Sequence, residues 1–553
     1  MAFLLALALA AGTAAARDVT GAFQTVYWVD SGAKTTVAAP QPGTSIFALK
    51  QSKGVWTRYP GTLKDDGSFV VPGVPKGVYF LGIDDGSGSG PSLTELTTST
   101  PDASTIVARR PNVAYAGKFT PVALSISGLD PWQPGDLFTG DLFQIDGSQS
   151  GADLRPFRNN GKQPNPAPGA TSYKGTIDWR FRSTSALPDA AQGDVTWFHS
   201  NPHSIIGKGP AAMTLRQATR YSKRDDVTVT EGGPNTIAVE LQAAPQSGSL
   251  RADVRYSQFQ QLALQANPKA VLGEFDFDVF GYPHTADFPD RPAQAPAPVL
   301  IFFGLRFNGN VPGDTDYGTL RYGEFLDSHW VKTRQVIAAY TVSFTAPGAS
   351  APADWAAAWG QGGLPETADL ASQAIAPRIA PLVPFIEGKD GFAAQSQVSL
   401  TPTISWTQQG QAGGDGDDEE NDNDARNCGR GGGDDDKEAR RHHEGDGREE
   451  RGHARGEERR EGCGASVSVT VVQLGVDDAG GTSFTPVLAA TVYGRSFSVP
   501  PGFLTAGSTY FVDLGSNHGS WIGRDQPLFR GGPSEGVDTV TEAFTTAAPA
   551  TSL

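Results

Sequence analysis

Three regularly spaced carboxylates are the strongest chemical signal in the sequence. Glu274, Asp276 and Asp278 alternate with apolar residues in the stretch GEFDFDVF. In a β-strand, side chains two positions apart lie on one face, about 6.5 Å from each other. Carboxylates roughly 5 to 10 Å apart perform the acid–base work of glycosidases. An exposed acidic strand has the same spacing, so we predict a solvated strand face, with a hydrolase site as the alternative.

Two histidines, His199 and His203, stand four positions apart in WFHSNPHS. This spacing brings two imidazoles to one side of a helix, where they can bind a metal, but Pro202 disfavours a helix. A turn is therefore predicted instead of a metal pair. No HExxH helix motif, phosphate-binding loop or CxxC pair accompanies the histidines. The sequence predicts a protein that is not an enzyme and needs no cofactor.

The N-terminal segment MAFLLALALAAGTAAA has the pattern of a secretory signal. An apolar run extends from Ala2 to Ala11, and small residues end in an A-x-A pattern before Arg17. Residues 1–16 are therefore predicted to be a signal peptide, and the mature chain to be secreted or held in the cell envelope. The usual basic residues before the apolar run are missing. An upstream start and an apolar N-terminal strand are the alternatives.

The composition restricts the partners of the chain. Its 553 residues include 60 acidic and 44 basic side chains, a net charge of −16. This acidic balance argues against nucleic acid or an anionic membrane surface as partner. No stretch approaches the roughly 20 apolar residues of a membrane helix, so membrane insertion is not expected. With 67 Gly and 40 Pro the chain turns often, which favours an all-β fold of tandem β-sandwiches with few short helices.

Residues 17–104 contain a hairpin pattern. Asp65-Asp66-Gly67 predicts a turn before a strand over Ser68–Val71, Pro72 to Gly77 reverses the chain, and Val78–Leu81 forms the return strand. The stretch DDGSFVVPGVPKGVYFL resembles the carboxypeptidase-regulatory-like or collagen-adhesin B-type module, a small prealbumin-like β-sandwich. That resemblance implies a stalk or carbohydrate-binding-like fold without catalysis.

Residues 105–390 predict a β-rich central region of one or two domains. Short alternating strands recur, for example over Val227–Thr230 and Val336–Phe344, and most are bounded by Gly, Pro, Asn or Asp. Helices are predicted at Ser257–Gln265, where Phe259 and Leu262 share a face, and at Ala353–Trp359.

Residues 391–553 carry the clearest fold signal. A strand ends at Trp406, and Leu504, Gly507 and Tyr510 follow one another at intervals of three. These residues resemble the tyrosine corner of a fibronectin type III domain, in which the tyrosine hydroxyl bonds back to the backbone. The resemblance implies that Trp406 is the strand B tryptophan and Tyr510 the strand F tyrosine.

A charged insertion at residues 411–463 interrupts this domain and is predicted to be a long disordered loop, since it has no aliphatic side chain larger than alanine. Cys428 and Cys463, the only cysteines, suggest one disulfide in an exported chain. The insertion concentrates oxygen ligands that calcium prefers, but the EF-hand pattern fails at Glu420 and Arg426. We predict exchangeable cation association, with a defined calcium site as the alternative. The residues concerned are Asp415, Asp417, Glu419, Asp422 and Asp424.

Four tryptophans in or near turn-rich sequence are candidates for stacking on sugar rings: Trp28, Trp56, Trp132 and Trp521. The leading hypothesis is a non-catalytic structural or adhesive protein whose partner is an extracellular polysaccharide or a protein surface. A carbohydrate-binding protein is the first alternative, and a hydrolase with its site in the central region is the second.

The predicted export signal gives a direct test. When the full chain is expressed in a bacterial host, the exported protein should begin at Arg17, because cleavage follows the small residues at the end of the signal. N-terminal mass spectrometry of the periplasmic fraction checks this. A chain that stays in the cytoplasm with residues 1–16 attached would contradict it.

Overall fold

The computed structural model shows a protein built almost entirely from β-strands. It describes residues 16–29, 32–38, 45–86, 90–135, 139–157, 165–180, 185–283, 298–307, 309–328, 330–365, 367–408, 465–519 and 534–548. These contain 35 strands, two short α-helices, and 3₁₀ turns at Ala190–Gln192 and Gly209–Ala211. The predicted all-β, sandwich-like fold class is confirmed. Residues 1–15 of the predicted signal peptide and the predicted insertion, with Cys428 and Cys463, lie outside the described residues.

The N-terminal strands form two layers. They are β1 (Ala16–Trp28), β2 (Lys34–Ala38), β3 (Ser45–Ser52), β4 (Val55–Pro60), β5 (Thr62–Leu63), β6 (Ser68–Pro75), β7 (Tyr79–Asp84), β8 (Ser92–Leu96) and β9 (Ala103–Val107). In one layer β1 pairs with β2, β6 and β9, and in the other β3 and β8 flank β7. The core between them includes Val19, Phe23, Phe69 and Leu81.

The two predicted strands exist, but they do not form a hairpin, since β6 pairs with β1 and β5 while β7 pairs with β3 and β8 in the other layer. β6 continues to Pro75 because Val74 is also buried and Arg17 of β1 pairs opposite it. The chain therefore passes from one layer to the other around Gly77, whose φ of 101° suits glycine, and not at Pro72. In β7, Tyr79 is buried in the core between the layers.

The central segment begins with a sandwich. Its strands are β10 (Pro121–Ser127), β11 (Leu142–Gly147), β12 (Asp153–Leu154), β13 (Ser172–Asp178), β14 (Thr196–Asn201), β15 (His203–Ile206), β16 (Met213–Gln217), β17 (Arg220–Arg224), β18 (Asn235–Glu240) and β19 (Gln242–Ala243). The sheet β13-β10-β18 lies against β12-β11-β14-β17-β19, while β15 and β16 join a larger sheet. Trp132 and Trp179 are buried in the sandwich core. The strand predicted at Val227–Thr230 is wrong, since that segment makes only an isolated bridge at Thr228.

The rest of the chain forms a large sheet and its covering layers. The strands are β20 (Gly248–Val254), β21 (Val271–Pro283), β22 (Val299–Arg306), β23 (Thr315–Tyr322), β24 (Trp330–Phe344), β25 (Ala353–Pro365), β26 (Leu382–Ile386), β27 (Lys389–Asp390), β28 (Gln395–Val398), β29 (Thr403–Gln408), β30 (Ala465–Val476), β31 (Thr482–Val492), β32 (Ser496–Ser498), β33 (Thr509–Gly519), β34 (Ser534–Val540) and β35 (Phe544–Thr546). The helices are α1 (Tyr256–Ala266) and α2 (Ala368–Ser372). Neither is long and apolar enough to cross a membrane, nor is any other helix in the described residues.

One of the two predicted helices is correct. α1 covers the predicted segment and buries Phe259 and Leu262 on one face. The helix predicted at Ala353–Trp359 is wrong, because this segment is the first part of β25. There Ala357 and Trp359 are buried, while Ala356, which precedes Ala357, is exposed. Pairing with β24 along most of its length and with β34 on the other side outweighs the helix propensity of the alanines.

Backbone hydrogen bonds cross both predicted domain boundaries. β8 pairs in parallel with β31, and β25 pairs antiparallel with β34. A single sheet of 16 strands therefore contains N-terminal, central and C-terminal segments. The limits at residues 104 and 390 stay predictions, and the sheet is continuous across them.

The C-terminal segment contains the two residues expected to mark its fold. Trp406 lies on β29 and is 5% exposed, and Tyr510, on β33, is fully buried. The Tyr510 hydroxyl accepts a hydrogen bond of 2.8 Å from the backbone N–H of Thr505. This is the contact that the tyrosine-corner resemblance implies, while the fibronectin type III assignment itself stays a prediction.

This hydrogen bond should contribute measurably to stability. Tyr510→Phe leaves the Thr505 N–H without its acceptor and should lower the free energy of unfolding by about 1 to 2 kcal/mol. Urea unfolding followed by tryptophan fluorescence measures the change. Tyr59→Phe, at a half-buried position, is the control and should have a smaller effect. Equal stability of the Tyr510 variant and the parent chain would contradict the structural role of the contact.

Candidate functional site

The three carboxylates singled out in the sequence lie on one face of β21. Phe275 and Phe277, which alternate with them, point into the core. Across the sheet, Glu274 stands opposite Arg306, Asp276 opposite Gly304, and Asp278 opposite Phe302, all on β22. The strand therefore presents an acidic row, defined here as Glu274, Asp276 and Asp278, as the two-residue alternation predicted.

The expected solvation of the acidic row is correct only for Glu274. Its carboxylate is 32% exposed and lies 3.2 Å from the Arg306 guanidinium, which is itself largely exposed. Asp276 differs, since its Oδ1 is buried and has no hydrogen-bond partner among the described residues. The solvated strand face predicted from the alternation is therefore wrong for this residue, because its neighbours exclude water.

A glycine makes room for the Asp276 carboxyl group. A Cβ at Gly304 would lie 2.2 Å from Asp276 Oδ1 and 2.8 Å from the Phe302 ring. Burial raises the pKa of Asp276 to about 9, and a hydrogen bond to Glu274 and the charge of that residue add to the rise. Asp276 is thus a neutral acid at physiological pH.

Asp278 has a pKa near neutrality. Burial raises its pKa to about 7, and the charges of Arg155 and Arg216 limit the rise. Arg216, on β16, is 2% exposed and donates a hydrogen bond of 2.7 Å to the carbonyl of Gly140. Two adjacent acids that titrate at different pH values can donate and accept protons, which is the chemistry the alternative of a hydrolase requires.

The two histidines occupy separate strands. His199 lies on β14 and His203 on β15, with Pro202 between them. His199 Nε2 is 3.0 Å from Asp146 Oδ2, and both side chains are fully buried. His203 lies 3.5 Å from a different carboxylate, that of Asp141. The histidines therefore contact different acids and are not brought together.

The His199–Asp146 pair belongs to a buried polar network. His199 Nδ1 is 2.8 Å from Asn201 Oδ1, and the Asn201 amide donates to the carbonyl of Val299 at 2.7 Å. Gln144 donates to Asp146 at 2.8 Å. Burial raises the pKa of Asp146, although the hydrogen bond with His199 opposes the rise. The network joins β11 and β14 of the sandwich to β22 of the large sheet.

A second pair of buried acids was not predicted from the sequence. Asp513 lies on β33 and Asp538 on β34, and they accept hydrogen bonds of 2.9 Å from Trp355 Nε1 and from the Ala358 N–H respectively. Burial and the charge of Asp538 raise the pKa of Asp513 to about 7. The only sequence signal is that Asp513 stands within the apolar run YFVDL, and Asp538 has a valine beside it in GVDTV.

A serine motif also escaped the sequence analysis. The stretch GPSEG at residues 532–536 has the spacing of a nucleophile elbow, which places serine on a sharp turn between a strand and a helix. Ser534 instead begins β34, paired with Gly519 and Gly362 on its two sides. A serine within a sheet lacks the exposed position that this motif provides.

An open groove of about 520 Å³ lies away from the acidic row. One side is formed by β20 and the other by α2, and Glu324 and Lys332 lie at the groove as a hydrogen-bonded ion pair. Ser247 donates a hydrogen bond of 2.6 Å to Glu324. Burial pushes the pKa of Glu324 up, but the bonds from Lys332 and Ser247 outweigh it and lower the pKa.

The described tryptophans offer little open ring surface. Trp28 is 4% exposed with the Lys34 ammonium 3.8 Å from its ring centre, and Trp132 is 1% exposed. Neither has the free face that a sugar platform needs, because each is packed in the protein. Trp56 is half-buried, with its ring 5.9 Å from that of Phe80. Trp521 and the acidic calcium candidates of the insertion lie outside the described residues.

Comparison with known proteins gives no family. No protein-family model matches the sequence, and no curated protein matches it. Among solved structures, the chain was aligned with a tetra-tandem repeat from the extending region of a large adhesion protein. That alignment has 11% identity and a TM-score of 0.11 and covers 96% of this chain and 100% of the repeat. Alpha-2-macroglobulin of E. coli in its native conformation aligns at 10% identity and a TM-score of 0.11, covering 93% of this chain and 27% of that protein. Scores this low carry no argument about fold or function.

The acidic row should make stability depend on pH. An unfolded aspartate titrates near pH 4, so between about pH 4 and about 9 the folded chain retains a proton on Asp276 that the unfolded chain has lost. Stability should therefore fall as the pH rises, by about 1.4 kcal/mol per pH unit for each such group. For Asp278 the fall should end near pH 7.

Urea unfolding from pH 5 to 9 measures this slope. Asp276→Asn should reduce the slope of stability against pH over the whole range up to pH 9. Asp278→Asn should reduce it only up to pH 7. Both expectations hold whatever the effect of the substitution on absolute stability. Asp478→Asn, at an exposed position, is the matched control and should keep the parent slope. Identical slopes in all four proteins would show that the two acids are ionised when folded.

Proposed function

We propose that this chain is a non-catalytic, exported structural or adhesive β-protein. The continuous sheet is the observation that supports the proposal most strongly. Pairing of β8 with β31 and of β25 with β34 ties three predicted segments together by backbone hydrogen bonds. A chain joined in this way transmits load through its sheet, which suits a scaffold that holds a surface at a distance.

Contacts between the segments add to this continuity. The Arg109 guanidinium lies 5.6 Å from the ring centre of Tyr27 on β1 and 5.3 Å from that of Tyr115. It therefore connects the N-terminal layer to the segment that leads into the central sandwich. Cation–π contacts of this kind contribute about 0.5 to 2 kcal/mol each. The buried network around His199 joins that sandwich to the large sheet in turn.

The finer assignments belong to the same proposal. The two-layered N-terminal sandwich supports a prealbumin-like module, and the Tyr510–Thr505 contact supports a fibronectin type III-like domain. The apolar N-terminal segment supports export to the cell surface or envelope. An extracellular polysaccharide or a protein surface is the proposed partner.

A hydrolase is the second candidate, and one observation favours it. Asp276 and Asp278 are neighbours on one strand face with pKa values of about 9 and about 7. That difference suits a general acid beside a group that ionises at neutral pH. The groove of about 520 Å³ is lined by other residues, so no cavity is assigned to this pair.

One double variant separates the two candidates. Beads coated with the chain should adhere under flow to surfaces bearing polysaccharide or matrix protein, and the Asp276→Asn/Asp278→Asn variant should adhere equally. The parent chain should give no turnover on a panel of glycosides and esters. Adhesion is the supporting result. If the parent chain does not adhere but turns over a substrate, and this turnover disappears in the double variant, the chain is a hydrolase and the proposal is wrong.

A further inference from the structure

β14 carries polar side chains on the face that meets the large sheet. Phe198 points into the core of the sandwich, whereas Trp197 packs in the core of the large sheet. His199 and Asn201 follow Trp197 at intervals of two and therefore share its face. All six residues of β14 are buried, so these polar groups are enclosed between the sandwich and the large sheet.

Hydrogen bonds determine which nitrogen of His199 carries a proton. The Asn201 amide nitrogen donates to the Val299 carbonyl at 2.7 Å, so the amide oxygen is the atom that faces His199 Nδ1 at 2.8 Å. An amide oxygen can only accept, and Nδ1 must therefore donate. With Nδ1 protonated, Nε2 is the nitrogen that can gain or lose a proton.

A further proton must lie between His199 and Asp146. His199 Nε2 is 3.0 Å from Asp146 Oδ2, and both side chains are fully buried. Without a proton between them, a nitrogen lone pair would face a negatively charged oxygen away from water, which is costly. The proton is held either by Nε2 or by the carboxyl group. Burial raises the pKa of Asp146, which agrees with the retention of a proton by this pair.

On the sandwich side, a second carboxylate and a tyrosine adjoin the pair. Asp153, on β12, is 42% exposed and lies 3.3 Å from Arg155. Its negative charge adds to the rise in the pKa of Asp146 that burial causes. Tyr221 stands opposite His199 on β17. The Asp153 charge therefore favours retention of the shared proton.

On the side of the large sheet, the pair meets an apolar ring. The ring of Phe325 lies 5.2 Å from the imidazole of His199. Asp278, on β21, interacts with the charge of Arg155 and has its own pKa of about 7, which burial causes. A measurement on the pair must therefore be separated from the titration of Asp278.

We propose that His199 and Asp146 trap one proton, and that this proton is a pH-sensitive latch between the sandwich and the large sheet. When the interface opens, both side chains enter water, where histidine and aspartate have pKa values of about 6.5 and 3.9. Between these values the opened pair also holds one proton, so opening does not depend on pH. Above about pH 6.5 the opened pair has released it to solvent, and each pH unit should favour opening about tenfold.

Hydrogen exchange of the full chain measures this opening. The Ala218 N–H donates to the Leu300 carbonyl at 2.9 Å, and Leu300 follows the residue whose carbonyl Asn201 binds. The peptide that contains Ala218 is therefore the reporter. Its protection, measured by mass spectrometry where closing is faster than exchange, should fall as the pH rises from 7 to 8.5.

Asp146→Asn should reduce this fall by about a factor of ten per pH unit. The new amide donates an N–H to the imidazole, while its oxygen still accepts from Gln144, so the contacts remain without a shared proton. Asp153→Asn is the matched control, since it removes a neighbouring carboxylate and keeps the shared proton. Titration of Asp278 contributes to all three proteins and cancels in the comparison. Equal slopes in the parent chain and Asp146→Asn, whatever the change in absolute protection, would reject the latch.

Nuclear magnetic resonance of the parent chain labelled with ¹⁵N-histidine tests the trapped proton without a variant. The ring whose Nδ1–H exchanges slowly with water, as expected for the buried His199, should keep its signals from pH 6 to 8.5. Titration of that ring within this range, or the absence of such a ring, would overturn the proposal even where Asp146→Asn does not fold. Neither measurement involves adhesion, so the proposed adhesive function stands or falls separately.

Discussion

Backbone pairing between segments distant in sequence is the constraint on which this fold depends. β8 has β7, its neighbour in the chain, on one side, but on the other side its partner is β31. β25 likewise reaches β34, which follows it only after the C-terminal strands β30 to β33. An unpaired edge would expose backbone groups to chance association with other chains. In this sheet the edges of β8 and β25 are covered by strands that are distant in sequence. The hydrophobic cores on the two faces of the sheet form when these strands pair.

Buried acids on this sheet share one packing device. Asp276 lies against Gly304, and Asp538 lies against Gly515, where a Cβ would come within 3.1 Å of Asp538 Oδ1. In both cases the glycine stands directly opposite the acid on the neighbouring strand. The missing side chain makes a recess that holds a carboxyl group close to the sheet and away from water, which raises its pKa. Opposed glycine and aspartate therefore act together in setting these protonation states.

Two-residue periodicity predicted much of the fold, and its failures have physical causes. Alternation located β6, β7 and β30, and helical spacing located α1. The helix predicted for residues 353–359 (ADWAAAW) was wrong. Trp355 and Trp359 are four residues apart, and side chains at this spacing share a face in a helix and in a strand alike. The alternation also placed Asp276 and Asp278 on one face. It did not predict their burial, since the recess that holds Asp276 comes from Gly304 on another strand. Asp513 and Asp538 could not be paired from sequence, since their proximity arises only when β33 and β34 come together.

The parallel pairing of residues 92–94 with residues 489–491 has a consequence for biosynthesis. All of the chain between β8 and β31 must emerge before these two strands can meet, and contacts so far apart in the chain form slowly. Until then one side of the N-terminal layer presents an open edge to its surroundings. This pairing therefore forms only after β31 has been synthesised, and a product truncated before β31 would expose the edge of β8 that the folded protein covers.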